Sequence, residues 1–165
     1  VNTFTDASSV MSGKDADALI TSTSIAYYME KQGVGKVIDT TVAHPEWTSQ
    51  FFAVGKTDWL KENPNAAKAF IRALIRAQEY VHENPEEAYK IIAEITDGYT
   101  PDIYEKVYSY DNSFDYFSPE ITRESLDKLK VLEQFLEDTE LISEPVDIDS
   151  FVDTSYYEEV IAEQK

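Results

Sequence analysis

The sequence predicts an α/β fold, with short strands near the N-terminus and a mostly helical C-terminal two-thirds. Short apolar runs bounded by glycine and polar residues lie before residue 56, as expected for strands. Asn-Pro, Thr-Pro and Ser-Pro pairs follow at residues 63, 84, 100 and 118, where proline suits the first helical position. The 165 residues are 42% apolar and 13% aromatic, which favours a packed protein over a disordered one.

The first third of the chain alternates predicted strands with short helices. In order, these are a strand at 1–4, a helix at 6–11, a strand at 18–21, a helix at 25–31, a strand at 36–39 and a β-like run at 51–55. Ser24 is the predicted cap of the second helix, and Gly33 is predicted to end it. Residues 40–48 show no periodicity and are interpreted as a connection.

A long amphipathic helix is predicted from about Pro64 to His82, with Asn63 as its cap. Two faces are expected from its spacing. The wet face carries Lys68, Arg72 and Arg76, and the buried face carries Phe70, Leu74, Ala77 and Val81.

Four further helices are predicted beyond this point. They run over 86–95, over 101–108, from Ser118-Pro119 or Thr122 onward with leucines at 126, 129, 132 and 136, and over 154–162. Because the proline pairs are unevenly spaced and the apolar patterns between them do not superpose, a helical repeat is rejected.

The charge and the motifs exclude several classes of protein. Lys plus Arg is 14 and Asp plus Glu is 32, so the net charge of −18 disfavours nucleic acid as a partner. The chain has no cysteine, and its two histidines stand far apart without a catalytic motif. We therefore expect neither an enzyme nor a cofactor or metal site. No apolar run approaches the length that spans a bilayer.

Two groups of side chains are candidates for binding. Thr21, Ser22, Thr23 and Ser24 place hydroxyls between a predicted strand and a helix start, a corner suited to an anion; a plain helix cap is the alternative. Aromatic residues are concentrated over 99–117, where packing is favoured over a ligand platform.

Three segments resemble one family. They are GKDADALITSTSIAYYMEKQGVGKVIDT (13–40), SQFFAVGKTDWLKENPNAAKAFIRALIRAQEYVHENPEEAYKIIAEITD (49–97) and ITRESLDKLKVLEQFLEDTELISEPVDIDSFVD (121–153). Together they are similar to the second half of periplasmic solute-binding proteins of the nitrate, sulfonate, taurine and thiamine-precursor group, the receptors of ABC importers. Ser22, Thr23 and Ser24 stand where sulfonate receptors commonly carry Trp, Asp and Pro.

The resemblance implies part of a two-lobed fold. Residues 1–45 would be the end of lobe two, and 46–165 the hinge return and the C-terminal part of lobe one, with the N-terminal part of the family fold absent. A small anionic or polar solute would be captured between the lobes. The implied ligand-binding residues are Ser22, Thr23, Trp47, Thr21, Tyr27 and Thr48.

The same resemblance implies the partners and the location. The solute would be delivered to an ABC permease membrane subunit, from a periplasmic or extracellular protein anchored through an absent N-terminal segment. A dimer through the incomplete lobe is also expected to be feasible. The alternative is a stand-alone acidic helical interaction or regulatory domain that captures no solute.

Overall fold

The computed structural model describes residues 4–44, 52–96, 98–108 and 118–164. Every regular element among these residues is a helix. The α-helices are α1 Phe4–Ser12, α2 Thr23–Lys31, α3 Thr57–Glu62, α4 Pro64–Glu83, α5 Pro85–Glu94, α6 Pro101–Tyr108, α7 Arg123–Asp138, α8 Ile148–Phe151 and α9 Ser155–Glu163, with a 3-10 helix at Thr41–Ala43. The predicted helical C-terminal two-thirds is therefore confirmed.

The predicted strands are wrong wherever the structure describes them. Phe4 begins α1, and the runs at 18–21, 36–39 and 52–55 are irregular. Ile20 and Ile38 are 101% and 85% exposed, so these runs bury no apolar face. A strand needs a partner to satisfy its backbone groups, and no described residue supplies one here. The rest of the run at 51–55 and the segment 1–3 lie outside the described residues.

Helix α2 ends where the sequence predicts. Gly33 adopts φ 70°, a conformation that costs glycine little because it has no side chain. The Gly33 amide donates to the Glu30 carbonyl at 3.0 Å, and the Val34 amide donates to the Met29 carbonyl at 3.0 Å. This pair of bonds is a Schellman motif, which satisfies carbonyls left over at a helix end.

One of the predicted helix caps is wrong. Ser22, not Ser24, is the N-cap of α2, so the helix begins two residues earlier than predicted. Asn63 directly precedes α4, as predicted, and its side-chain amide donates to the Trp59 carbonyl of α3 at 2.9 Å. Asn84 makes no side-chain cap bond at α5. Thr122 Oγ1 accepts from the Ser125 amide at 3.1 Å, so α7 starts at Thr122, one of its two predicted starts, and not at Ser118-Pro119.

The chain divides into two compact units. Unit 1 comprises the described parts of Val1–Pro45 and Val81–Ser113, and unit 2 those of Glu46–Tyr80 and Phe114–Lys165. The buried apolar residues of unit 1 are Ala7, Tyr27, Met29, Val81, Ala88, Ile103 and Tyr104. Those of unit 2 are Ala67, Ile148 and Val160. The assignment of 1–45 and 46–165 to two lobes of the family fold stays a prediction.

The predicted faces of α4 are partly reversed within unit 2. Phe70, expected in the core, is 54% exposed, whereas the Lys68 side chain is only 15% exposed. Lys68 Nζ lies 3.1 Å from Glu163 and 3.2 Å from Glu159, and Arg72 Nη1 lies 2.7 Å from Glu163. Lys68 and Arg72 therefore face α9, because acids on that helix neutralise them.

Candidate functional site

The hydroxyl corner, which we define as Thr21, Ser22, Thr23 and Ser24, lies at the start of α2 in unit 1. Ser22 is extended, with φ −66° and ψ 151°, and its side chain does not cap the helix. The Ser22 and Ser24 hydroxyl oxygens are 3.4 Å apart, and either can donate to the other. The first turn of α2 contains no acidic residue, although the chain is strongly acidic.

This arrangement is suited to a polar or negatively charged group. The first amides of a helix point outward and carry the positive end of its dipole. The Ser22 side chain makes no cap bond to them. Neutral donors of this kind bind an anion without a lysine or arginine.

Tyr99 reaches the hydroxyl corner from the segment before α6. Hydrogen bonding with the Ser24 side chain is one of the causes that set the pKa of Tyr99. Burial raises the pKa of Tyr99, and the Ser24 hydrogen bond acts in the opposite direction by stabilising the phenolate. The corner is therefore extended by a hydroxyl that lies 75 positions further along the sequence.

Tyr99 belongs to a group that we name the tyrosine row. It consists of five tyrosines whose rings contact one another in succession: Tyr28, Tyr99, Tyr104, Tyr108 and Tyr89. Tyr99 meets Tyr28 edge-on at 5.9 Å between ring centroids and meets Tyr104 edge-on at 5.7 Å. The other two contacts are stacked, each at 6.0 Å.

The far end of the tyrosine row is a packing contact between α5 and α6. Tyr108 stacks on Tyr104 one turn away in α6 and on Tyr89 of α5. Burial is the main cause that raises the pKa of Tyr108, with smaller contributions from its two neighbours. The predicted preference for packing is confirmed for Tyr104 and Tyr108, whereas the aromatic residues within 109–117 lie outside the described residues.

Two ion pairs join α2 to α6, and we refer to them together as the α2–α6 clamp. Lys31 Nζ lies 2.7 Å from Asp102 Oδ2 and donates to Thr100 Oγ1 at 2.8 Å. Lys106 pairs with Glu30, whose Oε1 also accepts from the Val37 amide at 3.4 Å. The hydrogen bond from Lys31 is the largest cause that lowers the pKa of Asp102. Since Thr100 adjoins Tyr99, the clamp also positions Tyr99.

A cavity of about 240 Å³ lies beside the clamp. Its lining residues are Tyr27, Glu30, Lys31, Asp102, Ile103 and Lys106. The Lys106 ammonium lies 4.2 Å from the centroid of the Tyr27 ring, a cation–π contact. The charges that line the cavity are thus already engaged with one another.

The six sequence-predicted site residues fall into three groups. Thr21, Ser22 and Thr23 lie together in the hydroxyl corner. Tyr27 is buried and lines the cavity beneath Lys106. Trp47 and Thr48 lie outside the described residues. Sequence reasoning missed Tyr99, because that residue was interpreted only as part of an aromatic cluster and nothing local links it to Ser24.

Comparison with known families places the chain in a class of binding proteins. A family model of the periplasmic binding-protein group matches residues 1–88, just over half of the 165-residue chain and a segment that includes the hydroxyl corner. The chain belongs to the NMT1/THI5-like family, which confirms the resemblance inferred from the sequence. Comparisons with curated proteins and with solved structures returned no significant match.

Membership of this family indicates a general role for the chain. Its members are generally binding proteins rather than enzymes, and they suggest solute binding in ABC transport, with a solute and a permease as partners. They are typically periplasmic or extracellular. Within the described ranges, no helix has the length and apolar character to cross a bilayer.

Proposed function

We propose that the chain is a solute-binding component of an ABC importer that captures a small anionic or polar solute between two lobes. The solute would be a sulfonate, nitrate or a thiamine-precursor-like molecule, handed to a membrane permease. The observation that carries the proposal is the hydroxyl corner at the uncapped start of α2, within the segment that matches the family.

Electrostatics support an uncharged recognition surface. A cluster of lysines would bind any anion in a screened, weakly selective way, whereas hydrogen bonds of fixed direction discriminate by shape. Ser22 and Thr23 are the proposed primary donors, with Thr21, Tyr27, Trp47 and Thr48 as further proposed ligand residues. Capture requires closure around a hinge, which the predicted lobe assignment places near residue 46.

The first experiment measures solute-dependent stability. Nitrate, methanesulfonate, taurine and an aminopyrimidine are titrated against the full chain, with thermal unfolding and calorimetry as readouts. A solute at 100 times its Kd stabilises a protein by about 2.7 kcal/mol, or roughly 5–10 °C for a chain of this size. No shift and no heat with any of the four would overturn the proposal.

A pair of leucine variants localises the site. Ser22→Leu replaces a hydroxyl of the hydroxyl corner with a bulky apolar side chain and is expected to abolish the shift. Lys56→Leu is the matched control, because Lys56 is also an N-cap residue of extended backbone without a side-chain cap bond, at the start of α3. An equal loss in both variants would place binding elsewhere.

A second candidate function is a stand-alone acidic helical interaction or regulatory domain. The exposed apolar residues Val131, Leu132 and Phe135 on α7 favour it. Under this alternative, Ser22→Leu leaves partner binding intact, and none of the four solutes shifts the unfolding temperature.

A further inference from the structure

We infer that α7 is a surface that binds a second copy of this chain, with the α7 helices of the two copies lying antiparallel. The inference goes beyond the proposed function and does not depend on solute binding. It rests on an exposed apolar patch of α7 and on the way in which charge is distributed along the same helix.

α7 leaves two large apolar side chains in water. Leu126, Leu129 and Leu136 are half-buried on one side of the helix. Val131 and Phe135, one turn apart on a different side, are 66% and 57% exposed. Side chains four positions apart lie on the same face of a helix, so Val131 and Phe135 form one patch. Because single exposed apolar residues are common, the charges beside this patch must indicate what covers it.

The patch belongs to a row of residues with coiled-coil spacing, which we name the α7 seam. Its positions are 124, 128, 131, 135, 138 and 142, which alternate steps of four and three residues. When two such seams meet antiparallel, Val131 of each copy lies level with Phe135 of the other. In the next layers outward, Lys128 lies level with Asp138. Two apolar layers are thus flanked on each side by a pair of opposite charges.

Charge is divided unevenly along α7. Residues 123–130 carry three basic and two acidic side chains, whereas residues 131–138 carry three acidic and no basic ones. Acids therefore accumulate at the helix end where the dipole is negative, and the last turn has no basic residue to offset them. An antiparallel second copy brings its basic half and the positive end of its dipole to these acids. A parallel copy would bring acids to acids.

The two charged residues of the α7 seam have capacity for this additional contact. Lys128 Nζ lies 3.1 Å from Glu124, and Asp138 accepts a hydrogen bond from Gln134 at 2.9 Å. Both contacts join exposed side chains one turn apart, an arrangement that contributes little to stability. An ammonium has three donors and a carboxylate has two oxygens, so each group can bind a second partner. The pair between copies therefore adds to the existing contacts.

The dimer is expected to be weak. Two apolar layers bury little surface compared with a stable protein interface. The net charge of −18 also makes two copies repel each other at long range. Salt at about 0.15 M reduces the Debye length to about 8 Å and screens most of this repulsion. We therefore expect monomers in dilute samples and dimers as the concentration is raised.

The test is sedimentation equilibrium of the 165-residue chain over a concentration series in that salt. Lys128→Glu and Asp138→Lys each set like charges against one another in both charged layers of the dimer. We expect each variant alone to weaken the Kd of dimerisation at least about tenfold. In an equal mixture of the two variants, every charged layer again joins opposite charges, so association should return to the wild-type Kd.

Two further variants complete the experiment. Glu137→Lys is the matched control, because it makes the same change of charge as Asp138→Lys at the adjacent position, which is off the α7 seam. It should leave the Kd unchanged. Phe135→Ser removes an apolar side chain from both central layers and should weaken the dimer as the charge variants do. Urea unfolding of dilute samples shows whether each variant folds.

Three outcomes would overturn the inference. A wild-type chain that stays monomeric throughout the series would leave this face of α7 to a different partner. Dimers that neither charge variant weakens would be joined through another face. A mixture that associates as weakly as each variant alone would exclude the antiparallel alignment, because only that alignment sets residue 128 against residue 138. None of these results bears on solute binding, which the solute titrations test separately.

Discussion

Lys31 and Asp102, 71 positions apart in sequence, form an ion pair of 2.7 Å that joins α2 to α6. The same ammonium donates to Thr100 at 2.8 Å, so one side chain holds two residues of the opposing segment. At 43% and 60% exposure the two side chains remain in contact with water. Their contribution to stability is therefore that of a screened surface pair with well-defined geometry.

Neutralising this pair should destabilise the protein slightly. Lys31→Met, Asp102→Asn and the double variant form a cycle whose coupling energy we expect to be about 0.5 kcal/mol. Urea unfolding at low and high salt measures it, and the coupling should shrink in 1 M salt because exposed charges are screened. A coupling that is zero at low salt would contradict a stabilising role for the pair.

Acid should weaken the α2–α6 clamp. Hydrogen bonds from Lys106 and Lys31 are the main causes that lower the pKa values of Glu30 and Asp102. A carboxyl whose pKa is lower in the folded state stabilises that state above its unfolded pKa, and loses this contribution as the pH falls through its folded pKa. Stability should thus decline as the pH drops below about 4.5.

The matched variant for this prediction is Lys31→Met/Lys106→Met. Without the two ammonium groups, the stability lost between pH 5 and pH 3 should be smaller than in the wild-type chain. Urea unfolding at several pH values measures both slopes, and equal slopes would show that other carboxyls dominate acid unfolding.

Removing Tyr104 from the centre of the tyrosine row should lower the free energy of unfolding much more than removing the α2–α6 clamp does. Tyr104 is 6% exposed and contacts two other rings, so Tyr104→Ala leaves a large cavity in unit 1. We expect a loss of about 3 kcal/mol in the free energy of unfolding. Tyr80→Ala, at an exposed tyrosine of α4, is the control and should cost well under half as much. Comparable losses would refute the packing role.

Two valines in unit 2 test its core. Val160 is fully buried in α9, whereas Val131 is 66% exposed on α7. Val160→Ala removes buried methyl groups and should cost about 2 kcal/mol, and Val131→Ala should be nearly neutral. Chemical unfolding measures the free energy of unfolding of both variants. A large loss in Val131→Ala would mean that this part of α7 is covered in solution.

Threonine caps provide a local test. Thr122 caps α7 through a 3.1 Å bond from the Ser125 amide, whereas Thr154 precedes α9 without a side-chain cap bond. Thr122→Ala should cost about 1 kcal/mol, and Thr154→Ala only a few tenths. The comparison fails if thermal unfolding shows the two variants to be equally destabilised.

Local signals predicted the helices well and the long-range contacts poorly. Helix ends such as Gly33 and Thr122 depend on nearby backbone geometry, which composition reveals. The strand predictions failed because a strand depends on a distant partner that its own residues do not specify. The predictions that Phe70 is buried and Lys68 exposed failed for the same reason. The acids on α9 that attract Lys68 lie more than ninety positions away.

The candidate site shows the same difference between local and long-range features. The hydroxyl corner is contiguous in sequence and could be predicted from four adjacent hydroxyl residues. Tyr99 could not, because its contact with Ser24 depends on how α2 and α6 pack. The family match covers the first of these features and not the second.

The charges of the α2–α6 clamp also favour one alignment of α6 along α2. Along α6, Asp102 faces Lys31 and Lys106, one turn later, faces Glu30. Sliding α6 by one turn in one direction would set Lys106 against Lys31, and sliding it in the other would set Asp102 against Glu30. Either shift brings like charges together. Their repulsion disfavours the shifted alignments, and the two ion pairs favour the native one. This charge pattern therefore fixes the position along α2 of the segment that contains Tyr99.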